Sequence, residues 1–148
     1  MARTEATRAV GAAPEDVWAI VADPHHLVRW WPRVTRVEGV AADSFTEVLS
    51  TSKGRAVRAD FTVVESQKPT LRRWRQEIAG TPFAGFLARS ETEVRLSPGA
   101  GGTGTRVVLV VDEAPHGVLA RLGAVMLRRA ARRRLDEALD GLVKIVGG

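Results

Sequence analysis

Across residues 33–112 the chain changes face at almost every step. Val57, Ala59, Phe61 and Val63 alternate with Arg58, Asp60 and Thr62, and Phe86, Ala88, Ser90, Thr92, Val94 and Leu96 alternate with Arg89, Glu91, Glu93 and Arg95. A period of two sends successive side chains to opposite faces of a strand, so the apolar set marks a covered face and the charged set a wet one. Turn signals at Ala42-Asp43, Ser52-Lys53-Gly54, Lys68-Pro69, Gly80-Thr81-Pro82 and Ser97-Pro98-Gly99 divide the stretch into six strands. A further edge strand over residues 3–10 predicts a seven-stranded antiparallel sheet joined largely by hairpins. Trp74, Gln76 and Ile78 share a row and are placed inward; Val107, Leu109 and Val111 form another row.

Something must cover the inner face. The only element long enough is a helix over residues 116–146, about 31 residues and roughly 46 Å at the standard rise. Its second half carries an apolar stripe at Leu127, Ala131, Leu135, Ala138, Leu142 and Ile145, opposite Arg129, Arg132, Arg133, Asp136, Glu137 and Asp140. Extended backwards, the stripe reads Ala124, Ala120 and Gly117, all small. Either these roof a cavity over Trp74, Phe61, Phe86 and Leu109, or they allow a close helix-to-sheet approach, or the helix bends at Gly123 and turns its large residues inward. On a straight helix Val118, Leu119, Leu122, Val125 and Met126 form an exposed apolar patch, for which a homodimer contact is one reading.

Before the sheet, Pro14 and Pro24 each follow a plausible cap, Ala13 and Asp23, and Glu15 and Asp16 suit a helix N-terminus. Two short helices are expected over residues 14–22 and 24–31, the second stopped by Pro32.

Composition narrows the chemistry. The 148 residues suit one domain spanning 1–148. No apolar run is long enough to span a bilayer and residues 1–10 do not read as a signal peptide, so a cytoplasmic protein without membrane insertion is expected. Without cysteine there are no disulfides, thiol catalysis or thiolate metal sites; tyrosine and asparagine are absent as well. The net charge of +5 is almost all arginine, the kind of bias a GC-rich genome produces. Six arginines fall between Arg121 and Arg134, but no aromatic is interleaved to stack on bases, so they read as a solvated helix face and no nucleic-acid partner is expected.

Gly99-Ala100-Gly101-Gly102-Thr103-Gly104 has the G-x-G-x-x-G spelling of a dinucleotide loop, but a β-branched run follows it where that motif needs a helix. It reads as a hairpin connection. His25 and His26 are adjacent and His116 stands alone, so no metal site is expected. No serine sits in a nucleophile elbow, and no catalytic residue or cofactor is assigned. Core packing accounts for Trp18 and Trp31, whereas Trp30 and Trp74 are candidates to face a ligand. Gln76, inward beside Trp74, needs a hydrogen-bond partner that a ligand or water would supply. Arg72, Glu47, Ser90 and Thr92 are further polar candidates.

The helix start at Pro14 to Trp18, Trp30-Trp31-Pro32, Trp74-Arg75-Gln76, Thr103-Gly104-Thr105-Arg106-Val107 and the helix around Leu135 to Leu142 together resemble the START-like, or SRPBCC, superfamily and its polyketide cyclase/dehydrase-like family. The resemblance covers nearly the whole chain. It implies an α+β helix-grip fold, β-α-α-β6-α, in which the curved sheet wraps the last helix around a cavity for lipids, polyketides or isoprenoids. It does not by itself imply an enzyme, because the superfamily mixes carriers, sensors and catalysts. The first expectation is a binder or carrier of a small hydrophobic molecule, through Trp30, Phe61, Trp74, Gln76, Phe86, Ser90, Leu109, Ala120, Ala124 and Leu127. The second is a polyketide cyclase or related lyase using Gln76, Arg72 or Glu47, and the third a scaffold working through the last helix.

Overall fold

The computed structural model describes residues 2–147. β1 (Ala2–Val10) alternates buried and exposed residues as an edge strand covered on one face should. In α1 (Pro14–Val21), Pro14 occupies the first turn and Glu15 and Asp16 lie at the positive end of the helix dipole. The Asp23 side chain accepts a hydrogen bond from the His25 N–H, which starts the 3-10 turn Pro24–His26 and the single helical turn α2 (Leu27–Trp30). The chain then passes Pro32 and enters the sheet through Arg33, whose φ of 68° lies in the left-handed region.

The remaining strands are β2 (Val34–Glu38), β3 (Ser44–Ser50), β4 (Ala56–Gln67), β5 (Leu71–Glu77), β6 (Leu87–Pro98) and β7 (Thr105–Pro115). They form one seven-stranded antiparallel sheet in the order β1-β7-β6-β5-β4-β3-β2. On the inner face Phe45 faces Phe61 and Phe61 faces Gln76, while Trp74 faces Thr92 and Thr92 faces Val111. The glycine-rich segment closes the β6–β7 hairpin, its Gly99 N–H donating to the Gly104 carbonyl at 3.1 Å. Thr105, fully buried at the start of β7, donates its hydroxyl to the Ala12 carbonyl at 2.7 Å and pins the connection between β1 and α1.

The wet face is laced with ion pairs. Glu38 meets Arg36 and Arg58 at 3.0 Å each, and Glu93 meets Arg95 at 2.6 Å. The Glu38 pairs are exposed and screened by water, so they add charge to this face more than they hold the fold together, whereas Glu93 is itself buried and is held by Arg95 and Arg73.

The inner face is covered by α3 (Ala124–Val146), which buries Ala131, Leu135, Ala138, Leu139 and Leu142. Arg129, Arg132, Arg133, Glu137 and Asp140 face solvent. The helix lies across β1 and β7 and against α2. Arg8–Asp140 at 2.9 Å and Arg134–Glu113 at 2.6 Å tie it to those two strands. Where α3 meets α2, a Cβ on Gly141 would lie 2.6 Å from the Trp30 carbonyl oxygen, so the two backbones approach as closely as glycine allows.

Two sequence expectations are corrected. The helix expected over residues 116–146 is broken: a 3-10 turn, Gly117–Arg121, leads to Gly123, and α3 begins only at Ala124. Gly123 has φ 88° and ψ 149°, outside any helical region and open to glycine because it has no Cβ. The backward extension of the stripe therefore does not exist, and Ala120 and Ala124 are exposed. The break does not bury the large residues either, for Val118, Leu122, Val125 and Met126 are 74, 45, 64 and 58 % exposed; Leu119 alone turns inward. The second correction is at the start of β6. A register shift between Leu87 and Arg89 puts Leu87 inside and Ala88 outside, and leaves Phe86 before the strand, 41 % exposed. Among the described residues no helix is long and apolar enough to cross a membrane.

Candidate ligand cavity

Because α3 packs over β1 and β7, the concave face of β3 to β6 is roofed only by the first turns of α3 and the segment before it. The space left between them is a cavity of about 530 Å3, within the range of small-molecule sites. Glu47, Phe61, Trp74, Gln76, Ser90, Thr92 and Val111 form its buried floor. Leu119, Leu127, Ala130 and Arg134 line it from the roof. Its mouth is marked by residues with solvent exposure, Arg33, Pro82 and Phe86, with the half-buried Phe83 beside them.

Three aromatic rings of the lining, Trp31, Trp74 and Phe61, are linked through Phe45, which lies behind them outside the lining. Trp31 meets Trp74 edge-on at 6.4 Å, Trp74 meets Phe45 at 6.3 Å, and Phe45 stacks on Phe61 at 5.2 Å with 12° between planes. Such edge-on and stacked contacts hold the rings against one another at favourable geometry. Phe83 and Phe86, 5.6 Å apart, form a separate pair at the mouth.

Against this apolar surface stand a few polar groups. Glu47 is 3 % exposed, and burial alone, with no hydrogen bond or opposing charge to offset it, pushes its carboxyl up to about 8. At neutral pH it is mostly the uncharged acid. The Gln76 amide nitrogen is buried without a hydrogen-bond partner. Glu113 and Arg134, also in the lining, satisfy each other at 2.6 Å. Arg72, half-buried, is not among the lining residues; loss of hydration lowers the basicity of its guanidinium, partly offset by Asp23 and Asp43. Among the described residues no cluster of His, Asp and Glu is arranged to hold a metal ion.

Of the residues singled out from the sequence, Phe61, Trp74, Gln76, Phe86, Ser90 and Leu127 line this cavity. Trp30, Leu109, Ala120 and Ala124 do not. Trp30 is 2 % exposed, its ring against Trp31 at 5.4 Å and its backbone under Gly141; the roles expected for the two adjacent tryptophans are exchanged, and Trp31 lines the cavity. Leu109, fully buried, belongs to the closed core that also holds Leu135 and Ala138. Sequence reasoning missed Phe83 and the Arg134–Glu113 pair. Gly80-Thr81-Pro82 reads as a plain turn, yet Thr81 caps the 3-10 turn Pro82–Gly85, and the three-residue spacing of Phe83 and Phe86 was the available signal.

A curved antiparallel sheet gripping a terminal helix, with an apolar hollow between them, defines the helix-grip class of START-like proteins. Within that class the chain belongs to the family described as "Polyketide cyclase / dehydrase and lipid transport", whose sequence model matches residues 1–147. No curated protein matches it in sequence. Solved structures share the fold at low identity. A START superfamily protein from Mycobacterium smegmatis is 15 % identical with a TM-score of 0.79, the match covering 97 % of this chain and 96 % of that one. A conserved protein from Geobacillus kaustophilus is 16 % identical with a TM-score of 0.80 over 97 % and 94 %. The di-domain ARO/CYC protein BexL of the BE-7585A biosynthetic pathway is 18 % identical with a TM-score of 0.74, over 96 % of this chain and 45 % of its own length.

Proposed function

We propose that this protein binds and carries a small, largely apolar molecule of the lipid, polyketide or isoprenoid kind in the cavity between the sheet and the first turns of α3. The observation that carries the reading is the cavity itself: about 530 Å3 of space with a mostly apolar lining and a mouth flanked by Phe83 and Phe86. The family description points the same way.

Native mass spectrometry of protein purified from its own host, followed by denaturing extraction, tests the proposal directly. A stoichiometric apolar molecule is the expected finding. Trp74→Ala removes the central ring of the aromatic set and should weaken retention of that molecule by at least tenfold; retention equal to the parent would remove Trp74 from the site. A second reading, a cyclase-type enzyme acting in the same cavity, is favoured by one observation, the uncharged and unpartnered Glu47 carboxyl. It predicts turnover of a poly-ketone chain that Glu47→Gln abolishes, whereas a carrier shows none.

A further inference from the structure

Resting on the reading of the cavity as a ligand site, the two unpartnered polar side chains in its floor define what the ligand must contain. Glu47 sits on β3 opposite Ala59, the smallest side chain in its row, and its own side chain lines the cavity. Gln76 lies two strands away and one inward row along, with Phe61 between. Standard sheet spacing separates their α-carbons by roughly 10–12 Å. Both residues line the cavity and both are buried, at 3 and 8 % exposure.

Neither is answered from within the protein. The Gln76 amide nitrogen has no acceptor, and the only influence acting on the Glu47 carboxyl is loss of hydration. The other charged groups in the lining are Arg33 just before β2, Glu113 on β7 and Arg134 on α3. The last two are paired with each other, and the Arg33 guanidinium donates to the Ser50 carbonyl at 3.4 Å. No counter-charge is left for Glu47. A buried polar group without a partner is costly, and the Gln76 amide nitrogen is one; the Glu47 carboxyl, stripped of hydration and without a hydrogen bond in the protein, lines the same apolar space, so an occupant that supplies acceptors accounts for both. An uncharged carboxyl presents an O–H and the amide an N–H.

We propose that Glu47 and Gln76 are the specificity determinants of the cavity, each donating a hydrogen bond to a carbonyl oxygen of an uncharged, otherwise apolar ligand. A plain hydrocarbon leaves both donors unsatisfied. A ligand carrying ketone-type oxygens toward Glu47 and toward Gln76 satisfies them and is selected on that basis.

The test uses two probes of nearly equal shape, 2-acetonaphthone and 2-isopropylnaphthalene, titrated into the full chain and followed by tryptophan fluorescence. Titrations at about pH 6 and about pH 9.5 bracket the range in which Glu47 loses its proton. The parent protein should bind the ketone about tenfold more tightly than the hydrocarbon at the lower pH, the scale of one net hydrogen bond. The preference should shrink toward one at the higher pH, where the carboxylate no longer donates. Glu47→Gln keeps a donor and should hold the preference at both pH values. Glu47→Leu should lose it while binding the hydrocarbon as before, which also shows that the variant is folded; Gln76 is read with 2,6-diacetylnaphthalene, whose second carbonyl should tighten binding over 2-acetonaphthone in the parent but not in Gln76→Leu, and equal affinity of the parent for the two ketones removes Gln76 from the assignment. Equal affinity for the two probes in the parent, or a preference that survives in Glu47→Leu, overturns the assignment and leaves the ligand cavity standing. Binding of neither probe removes the cavity reading, and this inference with it.

Discussion

Glu47 has a consequence for stability as well as for recognition. Its carboxyl is held near 8 in the folded chain against an ordinary value of about 4.5, so the unfolded state gives up this proton first as pH rises. The contribution to stability is fully present below about 4.5, declines as pH climbs, and is exhausted above about 8. Denaturant titrations should show the parent losing a few kcal/mol across that window, and Glu47→Gln losing far less; parallel curves for the two proteins would show that Glu47 is hydrated. Gly141 offers a test of opposite character. Alanine in an exposed mid-helix position gains up to about 1 kcal/mol over glycine, but here its Cβ would lie 2.6 Å from the Trp30 carbonyl. Gly141→Ala should therefore destabilise by about 1–3 kcal/mol, as overpacking does, with the midpoint of unfolding as the measurement. The sequence shows Gly141 only as a weak spot in a helix. Its role appears once α2 lies across α3, and the same contact decides which of two adjacent tryptophans, Trp30 or Trp31, reaches the cavity. A single helical turn without an apolar stripe of its own carries no such information.

At the scale of elements, the second half of α3 was legible because Leu135, Ala138 and Leu142 recur at helical spacing opposite a charged face. The same pattern carried backwards left residues 116–123 open between a continuous helix and a bend at Gly123, since periodicity alone cannot decide on a backbone break made by one glycine. Likewise the alternation that located β6 failed at its first residues, where a bulge shifts the faces by one. Gly123 is the break between the two halves of the roof. A Cβ there meets nothing within 4 Å, so the cost of Gly123→Ala is purely that of a φ of 88° in a residue with a side chain, about 1–3 kcal/mol. The expected response is partial relief by helix formation across the break. Far-UV circular dichroism should show added helix, and ligand uptake should change rate because Leu119 and Leu127 sit on either side of position 123.

For the molecule as a whole, strand count, sheet order by hairpins and the identity of the covering helix all followed from alternation and turn chemistry, because they depend on many residues at once. The outline of the cavity did not, because it depends on where α3 rests across the sheet. A ligand that binds only the folded chain adds to its stability by mass action, about 2.7 kcal/mol at a hundred times its dissociation constant. Thermal unfolding should shift upward with 2-acetonaphthone in the parent and shift less in Trp74→Ala. An unchanged midpoint at saturating probe would mean that the cavity is not where the probe binds.

The close seating of α3 on α2 also separates two kinds of heritable change. Substitutions around Trp30, Leu135 and Gly141 test whether the chain folds, whereas those around Phe83, Phe86, Leu119 and Leu127 alter what is admitted. On the proposed reading, the mouth can therefore be rewritten for a different cargo without disturbing the packing at the far end of the same helix.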